Sequence, residues 1–237
     1  DQDFIKSHTE KYNEFKNHVE NLNMDELSLL TGVDKELVKK AAFAYASAER
    51  AMEFHGLGVT EHFQGSKTVM LLSNLAMMTG NIGKNGVGLN PLRGQNNVQG
   101  AADMGVQPHQ GAGYMDINKP EVQQYYADMP EREGYKIPQM LDAAINGKLK
   151  ALYIMGEDTI MTDPNTNHSI KAFENLDLIV VQELFMTATT ELADVILPAS
   201  SYFEKNGTFT NGERRVQRVN KVVEPIGNTK PDGQIII

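Results

Sequence analysis

The strongest constraint on the fold is a regular alternation of short apolar segments and helical patterns between residues 137 and 198. The apolar segments predict strands at residues 151–155, 176–181 and 195–197, and the patterns around them predict helices at residues 140–146, 168–173 and 187–192. Strands that alternate with helices are typical of parallel strands joined by crossover helices. We therefore predict an α/β fold made of parallel sheet layers with crossover helices.

Each predicted strand ends in residues that could contact a ligand. These are Gly156 and Asp158 after the first strand, Gln182 and Glu183 after the second, and Ala199 after the third. Because the carboxyl ends of parallel strands meet at one edge of a sheet, we expect these residues to line one crevice. A carboxylate at this edge can accept hydrogen bonds from a ribose or a purine base, but it can equally cap the following helix. Both alternatives stand for Asp158. The chain has no G-x-G-x-x-G fingerprint, so the sequence does not support an NAD site of that type.

A polar segment at residues 91–105 follows a glycine-rich loop and joins the two halves of the chain. It places Arg93 close in sequence to the amides of Gln95, Asn97 and Gln99, and no part of it is predicted to form a helix or a strand. The guanidinium group of arginine can hold a carboxylate or a phosphate through two parallel hydrogen bonds. The alternative is an ordinary polar surface loop, which the same residue types also allow.

The residues before this segment predict helices and then a strand, a loop and a helix. A helix is predicted at residues 4–22, a second one from Asn23 or Asp25 to a stop at Gly32, and a third one capped by Asp34. The apolar face of the third helix, around Leu37, is expected to be buried. After a strand at residues 52–57, residues 58–61 are predicted to form a loop that lines a ligand site, and residues 69–78 a buried helix. A short helix at residues 120–128 and a hairpin-like extension from Tyr202 complete the predicted elements.

Composition excludes several classes of protein. The 237 residues carry 22 basic and 31 acidic side chains, a formal net charge of -9, and no dense basic cluster, which argues against nucleic-acid binding. No apolar run approaches the length of a membrane span, and the N-terminal residues lack the apolar core of a signal peptide, so a cytoplasmic location is expected. The chain has no cysteine, so it can hold neither a disulfide nor a cysteine-ligated iron-sulfur cluster. None of the six histidines shows metal-ligand spacing, and none is assigned to a metal.

Several motifs together carry a family resemblance. They are LRGQNNVQGA at residues 92–101, DMG at 103–105, YIMGED at 153–158, ADVILP at 193–198 and ERRVQ at 213–217. In this order they resemble the alpha subunit of formate dehydrogenases, within the molybdopterin oxidoreductase family of the dimethyl sulfoxide reductase type. The resemblance implies an internal fragment, because such enzymes also carry a cluster domain and a metal-ligating cysteine or selenocysteine. It implies that residues 1–94 are the C-terminal part of one pterin-binding α/β domain and that residues 95–237 are part of a second one.

The resemblance also implies roles for individual residues. Arg93 would orient the formate carboxylate and stabilise charge during C–H cleavage, and Gln95 would lie beside the pterin. The positions implied to line a molybdopterin guanine dinucleotide are Gly156, Asp158, Thr162, Gln182, Glu183, Ala199 and Asp232. Leu57 and Glu61 would lie near a second pterin. Glu61 stands where relatives often carry glutamine, and its carboxylate could repel a phosphate.

The implied reaction is the oxidation of formate to carbon dioxide at molybdenum or tungsten held by two molybdopterin guanine dinucleotides. Electrons would leave through an iron-sulfur cluster in the missing part, toward an electron-acceptor subunit or NAD. The fragment alone is expected to be inactive, because the metal ligand is absent from it. Two alternatives stay open: a molybdopterin oxidoreductase with another substrate, and a non-catalytic α/β module that binds a nucleotide.

Overall fold

The computed structural model describes residues 1–126, 130 and 132–237, which form two compact units, Asp1–Gln95 and Asn96–Ile237. In chain order, the first unit contains the elements α1 (Gln2–His8), α2 (Tyr12–Glu20), α3 (Met24–Thr31), α4 (Lys35–Ser47), β1 (Met52–His55), α5 (Leu57–Thr60), α6 (Gly65–Met78) and β2 (Gly88–Pro91). Helices and strands therefore alternate only in its second half.

The helix ends of the first unit follow local capping rules. The Asn23 side chain accepts hydrogen bonds from the first turn of α3, Gly32 ends α3 with a φ of 71°, and the Asp34 side chain caps α4. These predictions are confirmed. The predicted single helix at residues 4–22 is wrong, because the helix is interrupted between α1 and α2. The Thr9 hydroxyl donates to the Ile5 carbonyl at 2.7 Å, and Lys11 adopts a left-handed conformation with a φ of 56°.

The predicted burial of two helices in this unit is also wrong. Leu37 and Val38 on α4 are 60% and 41% exposed, and Met70 on α6 is 66% exposed. Periodicity shows that a helix has an apolar face, but it does not show that another element covers this face. Within the first unit α4 packs on α3, while the opposite side of α6, at Ala76, is fully buried.

A parallel pair of strands organises the rest of the first unit. β1 and β2 pair from Met52 opposite Gly88 to His55 opposite Pro91, and the Leu92 N–H donates to the His55 carbonyl at 2.7 Å beyond them. Both strands thus end at one edge, where β1 leads into Gly56 and β2 into Arg93. The predicted loop at residues 58–61 is instead the helical turn α5, after which Glu61 is the C-cap.

The second unit contains one parallel sheet and several smaller elements. In chain order these are α7 (Val98–Asp103), β3 (Gln110–Gly111), β4 (Met115–Asp116), α8 (Pro120–Tyr125), α9 (Ile137–Ile145), β5 (Ala151–Met155), α10 (Thr159–Thr162), α11 (Thr166–Glu174), β6 (Leu178–Glu183), β7 (Val195–Pro198), β8 (Gly207–Thr210), β9 (Val216–Val219) and α12 (Asp232–Ile236). The predicted helix at residues 120–128 corresponds to α8, and its last predicted residues, 127 and 128, lie outside the described residues. The hairpin predicted after Tyr202 is confirmed as the antiparallel pair of β8 and β9.

The parallel sheet has the order β5–β6–β7 and contains the main apolar core of the second unit. Ile154, Ile179 and Val181 from the strands pack with Leu141 of α9 and Phe173 of α11. The prediction of parallel strands with crossover helices is therefore confirmed for the β5–β6 connection, which contains α11. The chain has an α/β fold.

The predicted helix at residues 187–192 is wrong, since only the 3-10 turn Thr190–Leu192 forms there. The Thr190 hydroxyl accepts from the Thr187 N–H at 2.6 Å and donates to the Thr187 carbonyl at 2.7 Å. Hydroxyl groups that bond to nearby backbone in this way compete with a regular helix. The connection from β6 to β7 is consequently short and irregular.

Candidate functional site

The carboxyl end of β5 is a tight turn at Gly156. This residue has a φ of 64°, a conformation that favours glycine, and its N–H donates to the Gln182 carbonyl at 2.9 Å. A Cβ atom at Gly156 would have no neighbouring atom within 4 Å, so no other part of the chain covers the backbone on that side. A ligand could therefore approach the backbone closely at this turn.

A hydrogen-bonded group of four side chains lies at the same edge of the sheet, and we call it the Asp232 cluster: Tyr153, Gln182, Lys205 and Asp232. Gln182 is fully buried; its Oε1 accepts from the Tyr153 hydroxyl at 2.5 Å and its Nε2 donates to Asp232 Oδ1 at 2.7 Å. The Lys205 ammonium group forms an ion pair with Asp232 Oδ2. Two residues 50 positions apart, Gln182 and Asp232, are thus brought into direct contact.

Asp232 lies at this edge of the β5–β6–β7 sheet because the segment before α12 pairs with the end of β7. Ala199 pairs in parallel with Lys230, and the Ser200 N–H donates to the Lys230 carbonyl at 2.9 Å. Ala199 and Ser200 are buried, and the Ser200 hydroxyl has no hydrogen-bond partner in the described part of the chain. The structure therefore connects Gly156, Gln182, Ala199 and Asp232, four positions that the sequence singled out.

Asp158 and its neighbours are held by a separate set of bonds. Asp158 Oδ1 accepts from the Thr189 N–H at 3.1 Å and from the Thr189 hydroxyl at 2.7 Å. This carboxylate does not cap α10, which begins at the next residue. Through these two hydrogen bonds the Asp158 carboxylate connects the end of β5 to the turn after β6. Thr162 donates to Glu157 at 2.5 Å, and Glu183 accepts from the Leu184 N–H at 2.6 Å.

The predicted site residues of the first unit lie at the carboxyl end of the β1–β2 pair. Arg93 and Gln95 are exposed residues that follow β2. Leu57 is half exposed, and its Cδ1 lies 3.8 Å from the position of a Cβ atom on Gly94. The structure therefore brings Leu57 next to the segment that carries Arg93. Glu61 is exposed one helical turn away from Leu57.

The latter part of the 91–105 segment belongs to the second unit and is hydrogen-bonded to other parts of it. This part contains the helix α7, whereas the sequence predicted no helix in the segment. Asn97 precedes α7 with a φ of 67°, and its side-chain oxygen accepts from the Thr210 N–H on β8 at 3.1 Å. At the other end of α7, Asp103 accepts hydrogen bonds from Tyr114 and Gln99, both at 2.8 Å. These two hydrogen bonds, with Tyr114 the stronger influence, lower the pKa of Asp103 below its usual value.

Comparison with known proteins gives the same assignment as the motifs. The molybdopterin oxidoreductase family matches residues 9–237. The chain belongs to this family. It is 47% identical over its whole length to the F420-dependent formate dehydrogenase subunit alpha of Methanocaldococcus jannaschii, and 43% identical to formate dehydrogenase H of Escherichia coli. The resemblance read from the sequence is thereby confirmed.

The chain spans about a third of the length of these relatives, 35% of the first and 34% of the second. Among solved structures, acetylene hydratase from Pelobacter acetylenicus aligns with all of the chain and 36% of its own length, with a TM-score of 0.74 and 18% sequence identity. This similarity extends the shared fold to a distant enzyme. It does not bear on the substrate.

The sequence predicted Gln182 and Asp232 as site residues, but it did not predict the other two members of the Asp232 cluster, Tyr153 and Lys205. Tyr153 lies inside a predicted strand, and Lys205 follows the buried Glu204 in a segment predicted only as an extension. In the described residues, no group of three histidine, aspartate or glutamate side chains could hold a metal ion. No described helix is both long and apolar enough to cross a membrane.

Proposed function

We propose that this chain forms part of the cofactor site of a formate dehydrogenase that uses two molybdopterin guanine dinucleotides with molybdenum or tungsten. The observation that carries the proposal is the Asp232 cluster, which places a carboxylate at the carboxyl edge of a parallel sheet in a chain 43% to 47% identical to formate dehydrogenase subunits. Ligands of open α/β sheets bind at such edges. The cofactor would supply the redox chemistry, since it would take two electrons from formate.

The residues at the sheet edge fit the nucleotide end of this cofactor. Asp232 offers acceptor oxygens to the N–H groups of a guanine base, and Gly156 lets the backbone approach the ligand. Residues at the ends of β5, β6 and β7 would complete the pocket: Asp158, Thr162, Gln182, Glu183 and Ala199. The buried Ser200 hydroxyl, without a partner in the described residues, is a further polar group at this edge.

The residues of the first unit fit the substrate and the pterin. Arg93 carries a planar group of N–H donors that can hold the formate carboxylate through two hydrogen bonds and stabilise its charge. Gln95, two residues later, can both donate to and accept from a pterin ring. Leu57 and Glu61 would lie near the second pterin, and the Glu61 carboxylate would weaken a nearby phosphate contact.

The full-length protein would pass the electrons of formate through an iron-sulfur cluster to another subunit or to NAD. The chain contains no cysteine, so such a cluster would be held by residues outside it. The cytoplasmic location expected from the sequence stays a prediction.

The proposal is tested in the complete enzyme that contains this chain, with the substitution Arg93→Lys. Lysine keeps the positive charge but loses the planar pair of donors, so we expect formate oxidation to fall by about 100-fold while the cofactor stays bound. Turnover is measured with an artificial electron acceptor, and cofactor content is measured as the guanine nucleotide released by acid. Arg50→Lys is the matched control, because Arg50 is an exposed arginine whose ion-pair partner is the adjacent Glu49.

Two results would contradict the proposal. Full formate turnover in the Arg93→Lys enzyme would remove Arg93 from the catalytic site. An enzyme purified with a full metal content but without guanine nucleotide would exclude the dinucleotide form of the cofactor.

A further inference from the structure

The Asp232 cluster is a chain of directed hydrogen bonds in which each group determines the state of the next. Lys205 donates to Asp232 Oδ2 and also, at 3.1 Å, to the Ser200 carbonyl. An ammonium group can only donate, so the carboxylate of Asp232 is held as an acceptor. The amide of Gln182 must then present its nitrogen to Asp232, because its oxygen would face another acceptor.

Tyr153 completes this chain of bonds at the opposite side of the buried amide. The orientation that points Gln182 Nε2 at Asp232 points Oε1 at the Tyr153 hydroxyl, 2.5 Å away, and the phenol donates to it. Without this hydroxyl the buried Oε1 would lose its hydrogen bond, and burial of an unpaired polar atom is costly. Tyr153 therefore stabilises the amide orientation that keeps Asp232 in place.

The cluster leaves a defined set of atoms for a ligand. An ionised carboxylate has about four acceptor positions, and Gln182 and Lys205 each occupy one of them. The side chain of Asp232 is 33% exposed, so its remaining positions can be reached from solvent. They match a ligand edge with two neighbouring N–H donors, as guanine has. Hypoxanthine offers only one such donor, and adenine presents an acceptor at the corresponding ring nitrogen.

We propose that Tyr153 and Lys205 are positioning residues that determine the base specificity of this site, because they hold Gln182 and, with it, the carboxylate of Asp232, which is the fixed acceptor for guanine. The inference rests on the proposed cofactor site and adds to it two residues and the way they act. Neither residue needs to touch the base. Their substitution should change the preference between bases more than it changes the binding of the rest of a nucleotide.

The test uses the cofactor-free form of the complete enzyme that contains this chain, and it measures the affinities of GDP, IDP and ADP by calorimetry. We expect the unchanged protein to bind GDP about 10-fold more tightly than IDP, because the 2-amino group of guanine contributes one hydrogen bond to a charged acceptor. Tyr153→Phe and Lys205→Met should each reduce this ratio toward one. Lys205→Arg keeps a cationic donor and should restore most of the preference for GDP.

Two matched controls separate positioning from a general loss of structure. Tyr202→Phe removes a hydroxyl from a ring that packs on Phe203 and Phe209, and Lys221→Met removes a lysine that pairs with Glu224. Both should keep the ratio of GDP to IDP affinity. Circular dichroism of every variant checks that the fold is retained.

The outcomes distinguish this inference from the proposed function. If the unchanged protein prefers GDP and Tyr153→Phe and Lys205→Met keep that preference, the positioning role is excluded while the cofactor site stands. If the unchanged protein binds GDP, IDP and ADP equally or not at all, the assignment of this edge to a guanine dinucleotide is itself wrong.

Discussion

In the second unit, Phe173 and Leu141 lie beside the β5–β6–β7 sheet with 2% of their surface exposed, whereas Phe43 on α4 of the first unit is 75% exposed. Both units carry apolar residues at helical spacing, so the sequence pattern does not separate them. The difference is in what covers the helices. In the second unit α9 and α11 pack on each other and on a three-stranded sheet, while the first unit has only the two strands β1 and β2.

The same contrast applies to the candidate site residues. At the edge of the larger sheet, side-chain hydrogen bonds fix Gln182 and Asp232, and the hydroxyl and N–H of Thr189 fix Asp158. In the first unit, Arg93 and Gln95 are exposed in the segment after β2. The side chains of Gln182, Asp232 and Asp158 are therefore held in place by other residues of the second unit.

The largest expected effect that tests this contrast is on the free energy of unfolding. Phe173→Ala should destabilise the second unit by about 3–5 kcal/mol, because it leaves a cavity in the core. Phe43→Ala should change stability by less than about 0.5 kcal/mol, because the ring is largely exposed. Hydrogen exchange of the backbone amides of β6 and of α4 reports on each unit separately. Equal losses in the two variants would show that α4 is as well packed as α11.

Local sequence signals predicted much of the fold because they act over a few residues. The caps Asn23 and Asp34, the stop at Gly32 and the strand β5 all depend on near neighbours. The Asp232 cluster does not, since the partners of Gln182 lie 29 and 50 residues away. The resemblance suggested Gln182 and Asp232 as site positions, but no pattern in the chain indicated that Tyr153 and Lys205 would contact them.

The second prediction compares two glycines, one in each unit, and its expected effect is smaller. A Cβ atom on Gly100 would lie 2.1 Å from Asn97 Oδ1, the atom that accepts from the Thr210 N–H. Gly100→Ala must therefore displace Asn97 and break its bond to β8, at a cost of about 1–3 kcal/mol.

Gly58, in α5 of the first unit, has no atom within 4 Å of the position of its Cβ. Gly58→Ala should stabilise the helical turn by up to about 1 kcal/mol, because alanine is the better helix former. Urea unfolding followed by circular dichroism measures both changes. A neutral Gly100→Ala variant would mean that the bond between Asn97 and Thr210 contributes little to the attachment of α7.

The last prediction concerns a polar group that the first unit does shield from solvent. Burial raises the pKa of Tyr45 to about 12 from an ordinary value of 10.0, and the nearby carboxylate of Glu53 adds to the shift. Because the folded state holds this proton more tightly than the unfolded state, its contribution to stability is fully present below pH 10 and is lost as the pH rises from 10.0 to about 12.

We expect the free energy of unfolding of the first unit to decrease over this range in the unchanged protein, and Tyr45→Phe to remove that component of the decrease. Phenolate absorbance during alkaline titration should show a component near pH 12 that disappears in Tyr45→Phe, whereas Tyr202→Phe, which removes a surface phenol, should leave this component in place. If Tyr45 titrates near its ordinary value of 10.0, then water reaches its hydroxyl between α4 and β1. The contrast between the two units would then extend to their polar groups, because the second unit holds the carboxylates of Asp158 and Asp232 in hydrogen bonds to Thr189 and Gln182.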